Sequence, residues 1–326
     1  MARRRPAPGP EEFQSVFETV GANIGHALVG KDDAIRLALV CLAAEGHLLI
    51  EDVPGVGKTT LAKALAASFA CDWNRIQFTP DLLPSDVTGV TVFSRTGNKF
   101  EFRPGGVFAN IVLADEINRA SPKTQAALLE AMEERQVTVD STTYSLPTPF
   151  MVIATQNPVE HEGTYPLPDS QLDRFLMRIP MGYPAKRAEI AMLDEHSVDN
   201  PVTQLAAVAS VADVATLVHS AQAVHVATQL RAYIVDLADA TRRHPNLALG
   251  ASPRAALALQ KTARAWAATQ GRDFANADDV KAIALPVLGH RLVPTPEAEF
   301  EGIDSYALLE DLLTRIPVPS SGYTRA

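Results

Sequence analysis

Short apolar runs of strand length alternate with segments of helical period through the first half of the chain. Each run is too short for a helix, and helical stretches separate several of them. This alternation is typical of buried strands, so we predict an α/β fold with a mostly parallel sheet covered by helices. The predicted strands are 47–51, 75–79, 111–114, 150–155 and 175–180, and the predicted helices include 11–28, 32–44, 60–70 and one capped by Ser121.

Two segments break the alternation. Residues 90–93 and 99–102 flank a polar turn at 95–98, and residues 137–139 and 143–146 flank a second polar turn. Paired short runs around a turn are typical of β-hairpins. We therefore predict two hairpins that lie outside the main sheet.

The character of the sequence changes after residue 184. Strand-like runs cease, and alanine-rich helical sequence follows, with helix starts at Ser252-Pro253 and Asn276. A helical domain of this length is within the usual size range. The predicted organisation is a tail at 1–10, an α/β core at 11–184, an all-α domain at 185–316 and a flexible tail at 317–326.

Composition and charge narrow the function classes. Hydrophobic residues make up 47% of the 326 residues, charged residues make up 21%, and the net charge is -9. This balance argues against a broad nucleic-acid surface, although it leaves room for a local basic patch. We predict no membrane span and no signal peptide, because no long apolar run is present. Cys41 and Cys71 form no metal set, so we expect free thiols in a reducing, cytoplasmic compartment.

The sharpest motif follows the first predicted strand and opens a helix. Gly55 and Gly57 let the backbone curl so that its N–H groups point inward, and the helix end adds its positive dipole. Lys58 would reach the β- and γ-phosphates, and the Thr59 hydroxyl would coordinate Mg2+. ATP and Mg2+ are thus the predicted cofactors. The predicted phosphate-binding residues are Pro54, Gly55, Val56, Gly57, Lys58, Thr59 and Thr60.

One position departs from the Walker A pattern, which begins with glycine where this chain has Asp52. We expect an aspartate to be tolerated there if its carboxylate points outward. Glycine-rich loops also arise by chance. The strand before this loop and the helix after it favour a phosphate loop over a chance match.

A second polar motif ends the apolar strand at 111–114. Asp115 and Glu116 follow it directly, and buried strands rarely end in two acids without a cation nearby. Asp115 would hold Mg2+ directly or through water, and Glu116 would act as general base on the attacking water. A solvated acidic turn is the alternative.

Asn157 follows the strand at 150–155, just past its carboxyl end. Ligands bind at that edge of open parallel sheets, so its amide could orient a water against the γ-phosphate. Taken alone, the residue is better explained by an ordinary polar turn.

The order and spacing of these motifs resemble the MoxR family of AAA+ ATPases. The resemblance covers roughly residues 12–316, and its motifs are specific for the family rather than for one member. The segments that carry it are 54–59, 113–119, 154–158, 172–175 and 250–255, together with the stretches LEAMEERQVTVD, TQNPVEHEGTYPLPDSQLDRF and GASPRA.

The resemblance implies roles for several residues. Asn157 corresponds to sensor 1, Arg174 to an arginine finger that reaches a neighbouring subunit, and Arg254 to sensor 2. Val29 and Gly30 resemble the segment beside the adenine. The family's sheet also places the sensor 1 strand between the strand before the phosphate loop and the strand that ends in the acids.

Each arginine has an alternative interpretation. A guanidinium neutralises the charge that develops in phosphoryl transfer, but Arg174 could instead form a surface salt bridge. Arg254 could be an ordinary helix-surface arginine, although a cation is disfavoured near a helix N-terminus. Whether Arg119 faces a neighbour stays open. His161 and Glu162 are too few for a metal site.

By resemblance, we expect a hexameric ring that uses ATP to remodel or activate a partner complex, often with a von Willebrand factor A domain protein. The hairpins would contact the partner. The alternatives are a magnesium-chelatase-like motor subunit, a DNA-remodelling motor and a nucleotide-gated scaffold without turnover. The net charge speaks against the DNA-remodelling motor. The presence of Glu116, Asn157 and Arg174 speaks against the scaffold without turnover.

Overall fold

A computed structural model describes residues 9–95, 97–157, 163–184, 186–195 and 201–318. The chain divides into two compact units. The sheet unit holds residues 16–175 and 179–215, and the helical unit holds the residues up to 15, 176–178 and 216 onwards. The domain limits predicted from sequence, including the boundary at residue 184, were placed where the character of the sequence changes. They stay predictions.

The helices of the described residues agree with the sequence pattern where it was clearest. Those predicted at 11–28, 32–44 and 60–70 are confirmed with bounds shifted by no more than two residues. The helices are α1 (Pro10–Ala27), α2 (Asp32–Ala43), α3 (Lys58–Ser68), α4 (Pro84–Thr88), α5 (Pro122–Glu134), α6 (Asp169–Leu172), α7 (Lys186–Glu195), α8 (Val211–Ala223), α9 (Thr228–Arg243), α10 (Pro253–Thr269), α11 (Ala277–Leu288), α12 (Pro296–Phe300) and α13 (Ser305–Arg315), with 3-10 turns at Ile117–Arg119, Pro201–Gln204 and Gly289–Arg291.

The strands of the described residues include all of those predicted. The strand predicted at 75–79 begins two residues earlier, at Trp73, and ends two residues earlier, at Gln77. The strands are β1 (Leu48–Glu51), β2 (Trp73–Gln77), β3 (Gly89–Ser94), β4 (Lys99–Pro104), β5 (Ile111–Asp115), β6 (Gln136–Val139), β7 (Thr142–Ser145), β8 (Met151–Gln156), β9 (Met177–Ile179), β10 (Leu247–Leu249) and β11 (Val293–Pro294).

The main sheet has five strands in the order β2–β5–β8–β1–β9. Strands β2, β5, β8 and β1 pair in parallel, with Gln77 opposite Asp115 and Glu51 opposite Gln156. Strand β8 therefore lies between the strand before the phosphate loop and the strand that ends in the acids. This is the order that the family resemblance implied.

The sheet buries its apolar side chains against helix α5. Val112 and Val152 on the sheet share a core with Leu128 and Met132 of the helix, and all four are almost fully buried. Ser121 caps the helix by accepting the backbone N–H of Thr124, as its position before Pro122 predicted. Burial of these side chains fixes the helix that follows the acidic turn.

Both predicted hairpins are confirmed, and each forms its own two-stranded antiparallel sheet. Phe93 of β3 lies opposite Phe100 of β4, with ring centroids 5.3 Å apart, and both side chains are exposed. Phe102 of β4 stacks on Tyr144 of β7, with centroids 3.8 Å apart. The two hairpins therefore contact each other through aromatic rings.

The second unit is helical, as predicted, with one small departure. Ser252 caps α10, and Asn276 caps α11 by accepting the N–H of Asp279. Strands β10 and β11 form a short antiparallel ribbon that the sequence did not predict. Segments of two or three residues are too short to show a period-two pattern. No helix in the described part of the chain is long and apolar enough to cross a membrane.

Candidate functional site

Polar residues gather at one edge of the main sheet. The phosphate loop follows β1, Asp115 ends β5, and Asn157 directly follows β8. These three strands are adjacent and parallel, so their carboxyl ends meet at the same edge. The structure therefore brings together four of the predicted site residues, Lys58, Asp115, Glu116 and Asn157.

Backbone geometry explains the two glycines of the phosphate loop. Gly55 has a φ of +85° and Gly57 has a φ of +99°. Residues that carry a side chain rarely adopt this region of backbone conformation. A Cβ at Gly57 would also lie 2.7 Å from Cδ1 of Leu28. Helix α3 begins at the next residue, Lys58, whose Nζ donates to the carbonyl oxygen of Asp52 at 2.7 Å.

The rest of the predicted phosphate loop lies on both sides of these glycines. Pro54 is exposed, and Val56 is buried. Thr59 and Thr60 are half-buried in the first turn of α3. The N–H groups of that turn have no intrahelical partner, which suits an anion.

The segment predicted to lie near the adenine sits beside the phosphate loop. Val29 and Gly30 form the turn between α1 and α2, and the preceding Leu28 contacts Gly57. Gly30 has a φ of +73°, and a Cβ there would lie 2.7 Å from the Cβ of Ala188. Only glycine fits this close approach without strain.

Asp52 does not point outward, so that expectation was wrong. Its Oδ1 accepts the N–H of Val53 at 2.7 Å, and its Oδ2 accepts the N–H groups of Met181 and Gly182. A carboxylate with several N–H donors is well satisfied when half-buried. Asp52 thus joins the phosphate loop to the chain that follows β9.

Lys31 also binds this short segment. Its buried ammonium group donates to the carbonyl oxygens of Met181 and Gly182. Burial lowers the pKa of Lys31, while the carboxylates of Asp52 and Glu189 act in the opposite direction. Two oppositely charged side chains therefore hold one short backbone segment.

The acidic pair is held by a dense set of hydrogen bonds. Oδ1 of Asp115 accepts the hydroxyl of Thr155 at 2.6 Å, and Oδ2 accepts Nη2 and Nε of Arg75 at 2.6 and 3.1 Å. Glu116 has a φ of +56°, and its N–H donates to Oγ1 of Thr155 at 2.8 Å. Oε2 of Glu116 accepts Nε2 of Gln77 at 2.9 Å.

Arg75, Gln77 and Thr155 were not predicted as site residues. Each is at or near the carboxyl end of a strand next to the strand that ends in the acids. That position is the signal that could have identified them, because ligands bind at this edge. The strand that carries Arg75 and Gln77 was predicted at 75–79, but its position beside the strand that ends in the acids was not.

Arg119 pairs with Glu116 of its own chain, at 3.1 Å from Nη1 to Oε2. Asn157 is buried, with 6% of its surface exposed, directly beyond the last residue of β8. His161 and Glu162 lie outside the described residues.

Arg174 follows the short helix α6 and makes an ion pair with Glu133 near the end of α5. It also donates to the carbonyl oxygen of Leu129 at 3.1 Å. A cation near the C-terminal end of a helix is favoured by the helix dipole. This contact matches the salt-bridge alternative, and a role toward a neighbouring subunit stays a prediction.

Arg254 lies in the helical unit, in the first turn of α10, and its side chain is exposed. Ser252 caps the same helix through its side-chain oxygen. A cation in this turn is disfavoured by the helix dipole. Its predicted role as sensor 2 stays a prediction.

The oxygen ligands available at this sheet edge fit a Mg2+ ion that is bound together with nucleotide phosphates. Mg2+ prefers oxygen ligands, and such sites use one or two protein side chains together with phosphates and water. The Thr59 hydroxyl and the buried Asp115 carboxylate are donors of this kind. Across the described ranges no group of three His, Cys, Asp or Glu side chains could form a separate metal site.

Comparisons with known proteins agree with this geometry. Residues 47–177 match the ATPase family associated with various cellular activities (AAA), and residues 239–312 match the AAA lid domain. The chain is 38% identical to the chaperone MoxR1 of Mycobacterium tuberculosis, over 98% of this chain and 87% of that protein. It is 50% identical to the YeaC protein of Bacillus subtilis, over 95% and 97% of the two chains.

A solved structure shares the fold. The crystal structure of a Cytophaga hutchinsonii protein superposes with a TM-score of 0.89 at 39% identity, covering 95% of this chain and 96% of that chain. The extent and identity of these similarities show more than a common fold. The chain belongs to the MoxR family of AAA ATPases and is an ATP hydrolase.

Proposed function

We propose that the chain uses Mg2+-dependent ATP hydrolysis for chaperone-like remodelling or activation of a partner protein complex. The observation that carries the ATP chemistry is the meeting of Lys58, Asp115, Glu116 and Asn157 at one sheet edge. A charged loop, two acids and an amide are the groups that nucleotide hydrolysis uses.

Each side chain has a distinct task in this proposal. Lys58 and the loop N–H groups hold the phosphates, and Thr59 and Asp115 hold the metal. Glu116 takes a proton from the attacking water, which Asn157 orients. The bound Mg2+ would neutralise charge on the phosphate oxygens.

The arginines make hydrolysis depend on assembly. We propose a homo-oligomeric ring, a hexamer, in which Arg174 leaves Glu133 and reaches the nucleotide of a neighbour, while Arg254 approaches from the helical unit. An arginine supplied by a partner accelerates other nucleotide hydrolases by about 10³–10⁵. The Arg174 side chain is partly exposed, with 31% of it accessible, and its release would break the ion pair with Glu133 and the hydrogen bond to Leu129.

The partner surface that we propose is the β3–β4 hairpin. Phe93 and Phe100 form an exposed aromatic pair, with 51% and 73% of their surfaces accessible. Exposed aromatic side chains are frequent anchors of protein interfaces. A von Willebrand factor A domain protein is the partner class we propose, and the cytoplasm the location.

ATP hydrolysis tests the chemistry. Glu116→Gln should lower turnover at least about 100-fold while ATP still binds, because only the proton acceptor is lost. Turnover close to wild type would contradict the role of Glu116.

Partner stimulation tests the remodelling. A cognate von Willebrand factor A domain protein should stimulate hydrolysis, and replacing Phe93 and Phe100 by serine should weaken that stimulation about tenfold. Phe300→Ser is the matched control, since Phe300 is 94% exposed in the other unit. If stimulation survives the hairpin change, or fails equally in the control, the hairpin is not the partner surface.

A further inference from the structure

Asp52 joins three parts of the molecule beside the phosphate loop. Its backbone N–H donates to the carbonyl oxygen of Gln156 at the end of β8, and its own carbonyl oxygen accepts Nζ of Lys58. Its carboxylate accepts the N–H groups of Met181 and Gly182. A glycine at this position, as in the Walker A pattern, has no side chain with which to make the contact to the chain after β9.

Two opposite charges hold residues 181–182 at once. The two successive N–H groups converge on Oδ2 of Asp52, an arrangement that favours an anion. The two carbonyl oxygens of the same residues accept the ammonium group of Lys31, which is 6% exposed. The attraction between the carboxylate and the ammonium group offsets part of the cost of burying the latter. We call Lys31, Asp52 and residues 181–182 the charge clamp.

The charge clamp fixes an apolar wall beside the phosphate loop. Leu28 and Met181 are buried, and both have an atom within 4 Å of the position that a Cβ on Gly57 would occupy. Further along the same chain, the Cβ of Ala188 in α7 lies 2.7 Å from the corresponding position at Gly30. Ligand pockets are lined mainly by apolar side chains, so this wall suits the base of a nucleotide whose phosphates occupy the loop.

We propose that Asp52 and Lys31 are positioning residues that hold this wall against the phosphate loop, so that recognition of the adenosine part of the nucleotide depends on the charge clamp. The inference rests on the phosphate loop of the proposed function. Neither side chain contacts the nucleotide, and both act through Met181 and Gly182. Loss of either charge leaves the other without its counterpart and releases part of the hold on residues 181–182.

Calorimetric titrations with two ligands separate this role from simple support of the phosphate loop. ADP with Mg2+ has a base and phosphates, whereas pyrophosphate with Mg2+ has the phosphates alone. Asp52→Asn should weaken ADP binding about tenfold, because the charge-assisted hydrogen bonds to residues 181–182 are lost. Pyrophosphate affinity should change less than about threefold, because the backbone contact to Lys58 stays.

Lys31→Met removes the other charge of the clamp without changing any contact of Asp52 to the loop. It should also weaken ADP binding about tenfold and pyrophosphate binding less than about threefold. In the double variant with Asp52→Asn, the loss of ADP affinity should be smaller than the product of the two single losses, because no lone charge stays buried.

Asp33→Asn is the matched control. Asp33 is exposed in the first turn of α2, the helix that Lys31 precedes, and the substitution changes the net charge by the same amount as Asp52→Asn. Both affinities should stay at the wild-type value. Thermal melts establish that each variant is folded, and Lys31→Met decides the question alone if Asp52→Asn is not.

Equal losses of ADP and pyrophosphate affinity in the clamp variants would show that the clamp only supports the loop, and would overturn the proposal. Unchanged ADP affinity, multiplicative losses in the double variant, or an equal effect of Asp33→Asn would overturn it as well. If Lys58→Ala leaves pyrophosphate binding unchanged, the phosphate loop of the proposed function fails instead.

Discussion

The hydroxyl of Thr155 donates to Oδ1 of Asp115 at 2.6 Å and, as an acceptor, receives the N–H of Glu116 at 2.8 Å. Thr155 is fully buried on β8, the strand between the phosphate-loop strand and the acid strand. One side chain thus orients the metal ligand and fixes the backbone of the general base. The left-handed φ of Glu116 is held by this contact.

Thr155→Val tests this arrangement, since it removes the hydroxyl at nearly constant volume. We expect a loss of about 1–3 kcal/mol in the free energy of unfolding, because two polar groups lose their partner. Turnover should fall about 10–100-fold, as for other residues that orient ligands. Thr155→Ser keeps the hydroxyl, so it should retain most of the unfolding free energy and most of the turnover. Equal behaviour of the two variants, by denaturant melts and ATPase assays, would contradict the assignment.

Asp52→Gly restores the glycine with which the Walker A pattern begins, yet we expect this substitution to destabilise the folded protein. The N–H groups of Met181 and Gly182 lose their acceptor, and the buried Lys31 loses a nearby carboxylate. The expected loss is about 1–3 kcal/mol in unfolding free energy, with weaker ADP binding. Calorimetry of binding and thermal melts measure both. If the variant is as stable as wild type and binds ADP as tightly, the contact of Asp52 with Met181 and Gly182 contributes to neither property.

The two loop glycines should respond differently to alanine. Both have a positive φ, so each substitution costs about 1 kcal/mol or more in backbone strain. At Gly57 the new methyl would also meet Leu28, whereas at Gly55 nothing lies within 4 Å. Gly57→Ala should therefore weaken ADP binding more than Gly55→Ala. Binding titrations of the two proteins compare them, and the reverse order would contradict the loop geometry.

The Cys71 thiol should react slowly at neutral pH. Burial, and then the Asp72 carboxylate, raise its pKa to about 11, so the thiolate fraction is small below that pH. In a Cys41→Ser background at pH 8, a thiol reagent should react about a hundredfold faster with denatured than with folded protein, since an unfolded cysteine has a pKa of about 8.5. The folded rate should rise about tenfold per pH unit up to pH 10. A pH-independent rate in that range would contradict the raised pKa.

Contiguous motifs were predictable from sequence, and long-range pairs were not. The phosphate loop and the acidic strand end each lie within a few residues, so strand context alone located them. The partners of Asp52 lie 129 and 130 residues away, and Arg75 lies 40 residues from Asp115. No periodicity links such positions, because they meet only when the sheet forms.

Strand order explains a further difference between what the sequence predicted and what the structure shows. The neighbour relation of β1, β8 and β5 was available from family resemblance, but the edge position of β2 came from the structure. The strand at 75–79 was itself predicted, but nothing in the sequence placed it beside the strand that ends in the acids. This is why Arg75 and Gln77 escaped the sequence analysis although they contact the acids.

The most direct test of the assembled ATPase mixes wild-type subunits with Arg174→Ala subunits and measures ATP hydrolysis against mutant fraction and total concentration. Glu133→Gln subunits are the control, because they lose the same ion pair but keep the guanidinium. We predict a specific activity that rises with concentration and falls more steeply than the mutant fraction for Arg174→Ala, but not for Glu133→Gln. A concentration-independent activity with a proportional loss would mean that each subunit works alone, and would contradict the account.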